Sequence, residues 1–423
     1  MMTREDRDQR LPNLAGAPWL ESATTRAVLD AIARGGFEAC IVGGAVRNAL
    51  LGQPVKDVDV ATTAPPQDVI RLAAEAGLGA VPTGLAHGTV TVIAHHQPIE
   101  VTTLRRDIET FGRQARVTFT TDWAEDAARR DFTLNALYCD AGGTVHDPVG
   151  GYADLLARRV RFIGDARERI REDYLRILRF FRFTAAYAEG PPDAEGIAAS
   201  VALASGLAQL SAERIRAELL RLLATPRAVE IVAIMADAGL VEALIGTRGD
   251  VILLGRLADI EAALGRDADP LMRLAALSGG GRHLTALGAR LRLANAESER
   301  LARLVLPDPA FDPETEESEA RAFLYRFGVE AFRDGVLLAW AGSTAEADDS
   351  HWRDRFLLPA RWPVPELPVR GADLLKAGLA EGPAVGRVLR AFEDWWIAED
   401  FPKDEAQLAQ ALSDFVKANR KRK

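Results

Sequence analysis

Cysteine is scarce in this chain: Cys40 and Cys139 are the only two among 423 residues. Both lie in apolar stretches, so no disulfide framework is expected and a reducing cytoplasm fits. No apolar run reaches the roughly 18 residues that a membrane-spanning helix needs. The first residues, MMTREDRDQRLPN, are charged and lack an apolar core, so a secretory signal is not expected. No G-x-G-x-x-G stands at the first strand–helix turn and no G-x-x-x-x-G-K-[ST] occurs anywhere, which sets aside a dinucleotide fold and a Walker phosphate loop. No internal repeat of the solenoid kind is visible.

What is present is ordinary globular composition, 48% hydrophobic and 27% charged, in a chain long enough for about two to four domains. The net charge of −9 argues against wholesale coating of nucleic acid but says nothing about local patches. Arginine is in fact clustered, with Arg158, Arg159, Arg161, Arg167, Arg169, Arg171, Arg176, Arg179 and Arg182 in one span, and the chain ends in KANRKRK. Either feature suits phosphates, and either suits a solvated helix face or a frayed tail.

The most informative stretch is IVGGAVRNALLGQPVKDVDVATT, residues 41–63. A short apolar run enters Gly43-Gly44, a turn or two of helix carries Arg47, and a second strand is expected to present Asp57 and Asp59. Side chains two apart on a strand share a face. Paired carboxylates repel unless a cation lies between them, and Mg²⁺, which prefers carboxylate and phosphate oxygens, is the natural occupant. A glycine turn opening a helix offers N–H groups to an anion. Together these groups describe a site for a metal and a triphosphate.

Two further constellations follow. Residues 129–137, RRDFTLNAL, pack Arg129, Arg130, Asp131 and Asn135 among apolar side chains. Such a mixture is costly to bury unless it is paired or touches a ligand, and a ribose with a phosphate would use all of it. An amphipathic helix with a surface salt bridge is the plainer alternative. Residues 168–183, ERIREDYLRILRFFRF, are expected as one helix with Ile170, Tyr174, Ile177, Leu178 and Phe181 on its apolar face. On that helix Asp173 and Arg176 are neighbours, Arg179 continues their flank, and Arg182 falls farther round. Phe180 and Phe183 lie on the polar side, where burial at a domain junction is expected, with stacking under a base as the alternative. A carboxylate accepts and a guanidinium donates, so an Asp–Arg pair suits the exocyclic amine and ring nitrogen of cytosine and adenine and rejects uracil and guanine. An ordinary helix salt bridge is the plainer reading.

Along the chain, residues up to about 145 are mixed α/β, with 88–94 and 99–104 as a hairpin joined by HHQP. Beyond residue 150 the pattern is helical: 168–188, 211–224, 227–244, 251–264, 283–305, 317–341 and 383–398 all read as helices. Breaks are expected at 188–196, 307–317 and 359–368.

The ordered set GGAVR, KDVDVAT, TGLAHGTVTV, EVTTLRRD, RRDFTLNAL, HDPVGGYADL, EDYLRILRFFRF and ERIRAELLRLL resembles the class II tRNA nucleotidyltransferase/poly(A) polymerase family over residues 38–224. Gly371-Ala372-Asp373-Leu374 and Gly382-Pro383 resemble, more weakly, a C-terminal element of its bacterial CCA-adding members. The resemblance implies an α+β fold: a polymerase-β-like nucleotidyltransferase head with a mixed sheet, then an all-α neck, body and tail. The expected bounds are 1–145 for the head, 146–225 for the neck that recognises the base, 226–358 for the body and 359–423 for a tail that binds tRNA.

It also implies residue roles. Asp57 and Asp59 would hold Mg²⁺; Gly43, Gly44 and Arg47 the triphosphate; Arg130, Asp131 and Asn135 the ribose and phosphates. Asp173 and Arg176 would read the base, supported by Arg179 and Arg182, while Glu213 and Arg214 brace their helix. Glu100, pointing inward by strand alternation, is the candidate third carboxylate. The segment 105–121 is expected either to adjust the pocket between C and A or to be a surface loop. The implied activity is template-independent addition of CCA to the 3′ end of tRNA from CTP and ATP, by a two-Mg²⁺ nucleotidyl transfer that releases pyrophosphate. Poly(A) addition and non-catalytic RNA binding are the alternatives. One departure stands out: Asn48 occupies a position where the family commonly has Asp. No histidine–aspartate hydrolase signature follows the neck, so phosphatase activity is not expected.

Overall fold

The computed structural model describes residues 11–420, apart from 112–113, 282 and 306–307. Of the basic KANRKRK end, residues 421–423 lie outside the described residues. The chain divides into two compact units, Met1–Arg248 and Gly249–Lys423.

The first unit begins with α1 (Ala23–Arg34), β1 (Ala39–Val42), α2 (Gly44–Leu50), β2 (Asp59–Thr62), α3 (Pro66–Glu75), β3 (Gly79–Gly84), β4 (Thr89–Ala94) and β5 (Gln97–Thr103). There follow β6 (Arg105–Phe111), β7 (Gln114–Phe119), α4 (Trp123–Ala128), β8 (Tyr138–Asp140), β9 (Val145–His146), α5 (Gly151–Leu156), α6 (Ala166–Glu172) and α7 (Leu175–Tyr187). α8 (Ala194–Ala202), α9 (Ala212–Leu223), α10 (Ala228–Asp237) and α11 (Leu240–Ile245) complete it.

Seven strands form one mixed sheet in the order β3-β4-β5-β2-β1-β8-β9. Only β2 and β5 run parallel; every other neighbouring pair is antiparallel. The expected 88–94/99–104 hairpin is β4 and β5. Its turn residues His95 and His96 both take positive φ, 48° and 62°, as a twisted two-residue hairpin turn requires. Within the 105–121 segment β6 and β7 pair as a separate antiparallel two-stranded ribbon, with 112–113 outside the described residues.

Behind the sheet, Val28 and Ile32 of α1 and Val69 and Leu72 of α3 are buried with Val90, Val92 and Val101. On α7, Ile177, Leu178 and Phe181 are buried, as the periodicity predicts. Phe180 and Phe183 are buried too, in an aromatic cluster. Phe180 stacks on Phe162 at 5.4 Å and Phe183 meets Phe132 at 5.3 Å between ring centroids. Each such ring contributes about 1.5–3 kcal/mol by leaving water, so the α7 flank that carries arginines is anchored from beneath.

The expected 168–188 helix is two helices. Asp173 has φ −154° and ψ 107°, an extended conformation between α6 and α7. Its carboxylate Oδ1 accepts the Leu175 N–H at 3.1 Å, capping α7. A short acid offers the backbone this alternative to continued helix, and here it wins. The 227–244 segment likewise splits, at Gly239, whose φ of 73° ends α10. The break expected at 188–196 is shorter, because Asp193 caps α8 through the Gly196 N–H at 2.9 Å.

The second unit is helical: α12 (Val251–Ala263), α13 (Pro270–Leu277), α14 (His283–Leu291), α15 (Asn295–Ala302), α16 (Glu317–Gly342), α17 (Ser350–Arg361), α18 (Gly371–Lys376), α19 (Pro383–Ala398) and α20 (Glu405–Arg420). The 283–305 segment is two helices, and α16 is interrupted at Gly328. α17 runs through Pro359, into the stretch expected as a break. Phe392 and Trp396 of α19 are buried with Val369 and Phe401. Among the described residues, no helix is long and apolar enough to cross a membrane.

Candidate active site

A cleft of about 1360 Å³ opens on the first unit. Its lining includes Gly43, Gly44, Arg47, Asp57, Asp59, Glu100, Arg130, Asp131, Asn135, Asp173, Arg176, Arg179 and Arg182, all expected from sequence, while the bracing residues Glu213 and Arg214 are not part of it. Its lining holds more Arg and Lys side chains than carboxylates, although the chain's net charge is −9. The acidic balance of the whole therefore conceals a cationic patch.

β2 starts at Asp59, so Asp57 stands in the segment before the strand and not on it. Asp59 pairs in register with Glu100 of the parallel neighbour β5. Register partners share a sheet face, so the two carboxylates are side by side. Glu100 faces the cleft and not the core: Ile99 and Val101 take the buried face. Desolvation raises the Asp59 carboxyl above its ordinary value, and the Glu100 and Asp57 charges raise it further against the pull of Arg130.

The donors are hard oxygens of like charge, which fits a divalent cation. Among the described residues no three His, Cys, Asp or Glu side chains converge on one point.

Gly43 has φ 72° and ψ −116°, a conformation open to glycine and not to side-chain-bearing residues. Its N–H donates to Leu137 O at 3.1 Å, so that group is already committed to the sheet edge. The turn brings α2 against the 131–135 segment, and Arg47, 6% exposed, lies between them. Its Nη1 donates to Asn135 Oδ1 at 2.6 Å, and its Nη2 donates to Tyr187 Oη at 2.7 Å. Nε and Nη2 both donate to Asn48 Oδ1, at 3.1 and 2.9 Å. The guanidinium also lies over the Tyr187 ring, 4.0 Å from its centroid. Burial lowers the Arg47 pKa from its usual value.

Residues 129–137 are not an amphipathic helix. Asp131 through Cys139 are buried, with only a single 3-10 turn at Thr133–Asn135. Asp131 Oδ1 accepts from Asn135 Nδ2 at 3.1 Å, and its Oδ2 accepts from Arg179 Nε at 2.7 Å. Burial works to raise the Asp131 carboxyl, but the Arg179 charge and the two hydrogen bonds hold it below the ordinary range. Asn135 is thus a hinge between Asp131 and Arg47: its amide donates to one and its oxygen accepts from the other.

Asp173 and Arg176 line the same cleft but do not pair through their side chains. Asp173 Oδ2 accepts from Arg214 at 2.6 Å. Arg176 Nη1 donates to Glu172 at 2.5 Å and to Arg169 O at 2.9 Å, while Nη2 donates to Arg129 O at 3.1 Å. The helix break at Asp173 removes the expected i,i+3 geometry. Each group is held separately, and each carboxylate oxygen of Asp173 keeps acceptor capacity. Arg182 donates to Glu218 at 2.6 Å and covers the Phe183 ring.

Four contributors escape a reading by motif. Asp126, 1% exposed, accepts from Arg129 at 2.6 Å, from Arg130 at 3.0 Å and from the Tyr138 hydroxyl at 2.8 Å. Its signal is the spacing in DAARR, an acid three and four residues before two arginines. Glu218 gathers Arg182 and Arg221, and Arg221 itself lines the cleft. Tyr187 carries no signal, since nothing in sequence relates it to Arg47.

Residues 39–161 match the poly A polymerase head domain, and residues 193–245 match the probable RNA and SrmB-binding site of polymerase A. The chain is 34% identical to the mitochondrial CCA tRNA nucleotidyltransferase 1 of Danio rerio, over 89% of this chain and 87% of that protein. It is 31% identical to the CCA-adding enzyme of Limosilactobacillus fermentum, over 94% and 98% respectively. The crystal structure of the Bacillus stearothermophilus CCA-adding enzyme in complex with CTP superposes with a TM-score of 0.69 at 28% identity, covering 94% of this chain and 98% of that one. With identity above 30% across nearly the whole length of these relatives, the chain belongs to the CCA-adding tRNA nucleotidyltransferase family.

Proposed function

We propose that this chain adds C, C and A to the 3′ end of tRNA from CTP and ATP, without a template and with release of pyrophosphate. The observation that carries it is one cleft lined by Asp57, Asp59 and Glu100 together with a set of arginines, in a chain related over most of its length to CCA-adding enzymes. Asp57 and Asp59 would hold Mg²⁺, with Glu100 beside them. Bound there, Mg²⁺ supplies charge that makes the tRNA 3′-hydroxyl more acidic and neutralises the leaving pyrophosphate.

The protein's own part is positioning and charge. Arg47, fixed from Asn135 and Tyr187, faces the triphosphate. Arg130, Asp131 and Asn135 meet ribose and phosphate, and holding reactants in place lowers the barrier without new chemistry. Asp173 accepts the exocyclic amine of cytosine or adenine, and Arg176 serves the adjacent ring nitrogen or carbonyl, with Arg179 and Arg182 behind them. Uracil and guanine would leave polar groups unpaired there. We read 1–145 as head, 146–225 as neck, 226–358 as body and 359–423 as a tRNA-binding tail, with the β6–β7 hairpin adjusting the pocket between C and A. Cys40 and Cys139 are unpaired and buried, and burial raises each thiol to about 12.

The test is product length. Wild-type protein, Mg²⁺, CTP and ATP with tRNA lacking its last three nucleotides should give a product three nucleotides longer that grows no further. An unbounded A tail would assign poly(A) addition instead, and no extension at all would leave only RNA binding.

A further inference from the structure

Arg47 is buried, yet all its hydrogen-bond partners are neutral: Asn48, Asn135 and Tyr187. A carboxylate at position 48 would pair with it and cancel its charge. Asn48 instead offers an amide oxygen that accepts twice from the guanidinium, at 3.1 and 2.9 Å. Its amide nitrogen does a second job, donating to Pro54 O at 3.1 Å. Pro54 begins the segment that delivers Asp57 to the cleft, where Pro54 and Asp57 both form part of the lining. Aspartate has no N–H and would set a charge against that carbonyl. The two tasks together select an amide.

We propose that Asn48 is a positioning residue for the nucleotide's triphosphate: it holds Arg47 in place with its charge uncancelled, and it ties down the segment that carries Asp57. Asn48 thus leaves one more effective positive charge at the phosphate end of this cleft than an aspartate in its place would. The inference rests on the triphosphate-binding role of the cleft, so the decisive measurement needs neither tRNA nor turnover.

Calorimetric binding of tripolyphosphate to the full chain, in magnesium-free buffer, reads the charge on Arg47 directly. Asn48→Asp should weaken it roughly five- to tenfold, the size expected when one charge-assisted contact is neutralised. On an Arg47→Gln background the same change should add little, because its effect passes through Arg47. In steady-state addition, Asn48→Asp should raise KM for CTP and ATP by the same factor and leave the affinity for tRNA unchanged. Asn48→Ala removes the tie to Pro54 without adding a charge, so it should lower kcat more than it raises KM. Tripolyphosphate affinity within twofold of wild type in Asn48→Asp, or an equal further loss on the Arg47→Gln background, would overturn the proposal. Failure of wild-type protein to extend tRNA would overturn the assigned reaction and leave the binding result standing.

Discussion

Arg179 Nε donates to Asp131 Oδ2 at 2.7 Å, and this contact joins helix α7 to the strand-bound half of the cleft. From Asp131 the chain of bonds continues to Asn135, from Asn135 to Arg47, and from Arg47 back to Tyr187 at the end of α7. The ring closes on the helix where it began. Arg179 and Arg47 are therefore held by one network through Asp131 and Asn135, and loosening any member should be felt at both arginines.

Asp126 is a buried carboxylate that holds Arg129 and Arg130. Asp126→Asn leaves Arg129 and Arg130 without their carboxylate, and breaking a buried pair in this way costs about 3–5 kcal/mol. Urea denaturation should show that loss. The nucleotide KM should rise as well, because Arg130 reaches the cleft from Asp126.

Asp131 sets an acid limit. Its carboxyl lies below the ordinary value of 3.8 in the fold, so the fold favours the ionised form. The stabilisation is complete above the unfolded value and is lost as pH falls through the lower folded one. Urea midpoints should hold steady from neutrality to about pH 5 and then fall. Asp131→Asn should be less stable at neutrality and should show a shallower fall at low pH.

Asp59 behaves oppositely. Its carboxyl is raised by desolvation and by Glu100 and Asp57, so its ionised form costs stability at neutral pH. A cation that binds there should recover that loss: at ten times its dissociation constant Mg²⁺ should stabilise by about 1.4 kcal/mol. Thermal melting with and without Mg²⁺ should show this shift in wild type and a much smaller one in Asp57→Asn.

Asp173 is the proposed reader of the amine. Asp173→Ala should reduce discrimination of CTP and ATP against UTP and GTP by about ten- to a hundredfold in kcat/KM. Unchanged ratios would remove it from base selection.

Much of this was legible in the sequence, for identifiable reasons. The Gly43-Gly44 turn and the apolar face of α7 are local patterns that the fold keeps, while Asp57 and Asp59 reach one cleft without sharing a strand. The Asp173–Arg176 pair was not legible, because helical spacing assumes an unbroken helix and the Asp173 carboxylate caps one instead. Tyr187 lies 140 positions from Arg47, and a contact at that separation leaves no trace in a motif. Asn48 looked like a lost charge in sequence; the fold gives its amide two partners on different segments.

The central claim is that the Asp57–Asp59 cleft is where nucleotides are transferred. The most direct measurement is single-turnover incorporation of CMP into tRNA lacking CCA by Asp59→Asn, with tRNA affinity measured on the same protein. Losing several kcal/mol of charge stabilisation should cut the rate by about a thousandfold or more while tRNA binding stays within twofold of wild type. Turnover near the wild-type rate, with binding intact, would contradict the account.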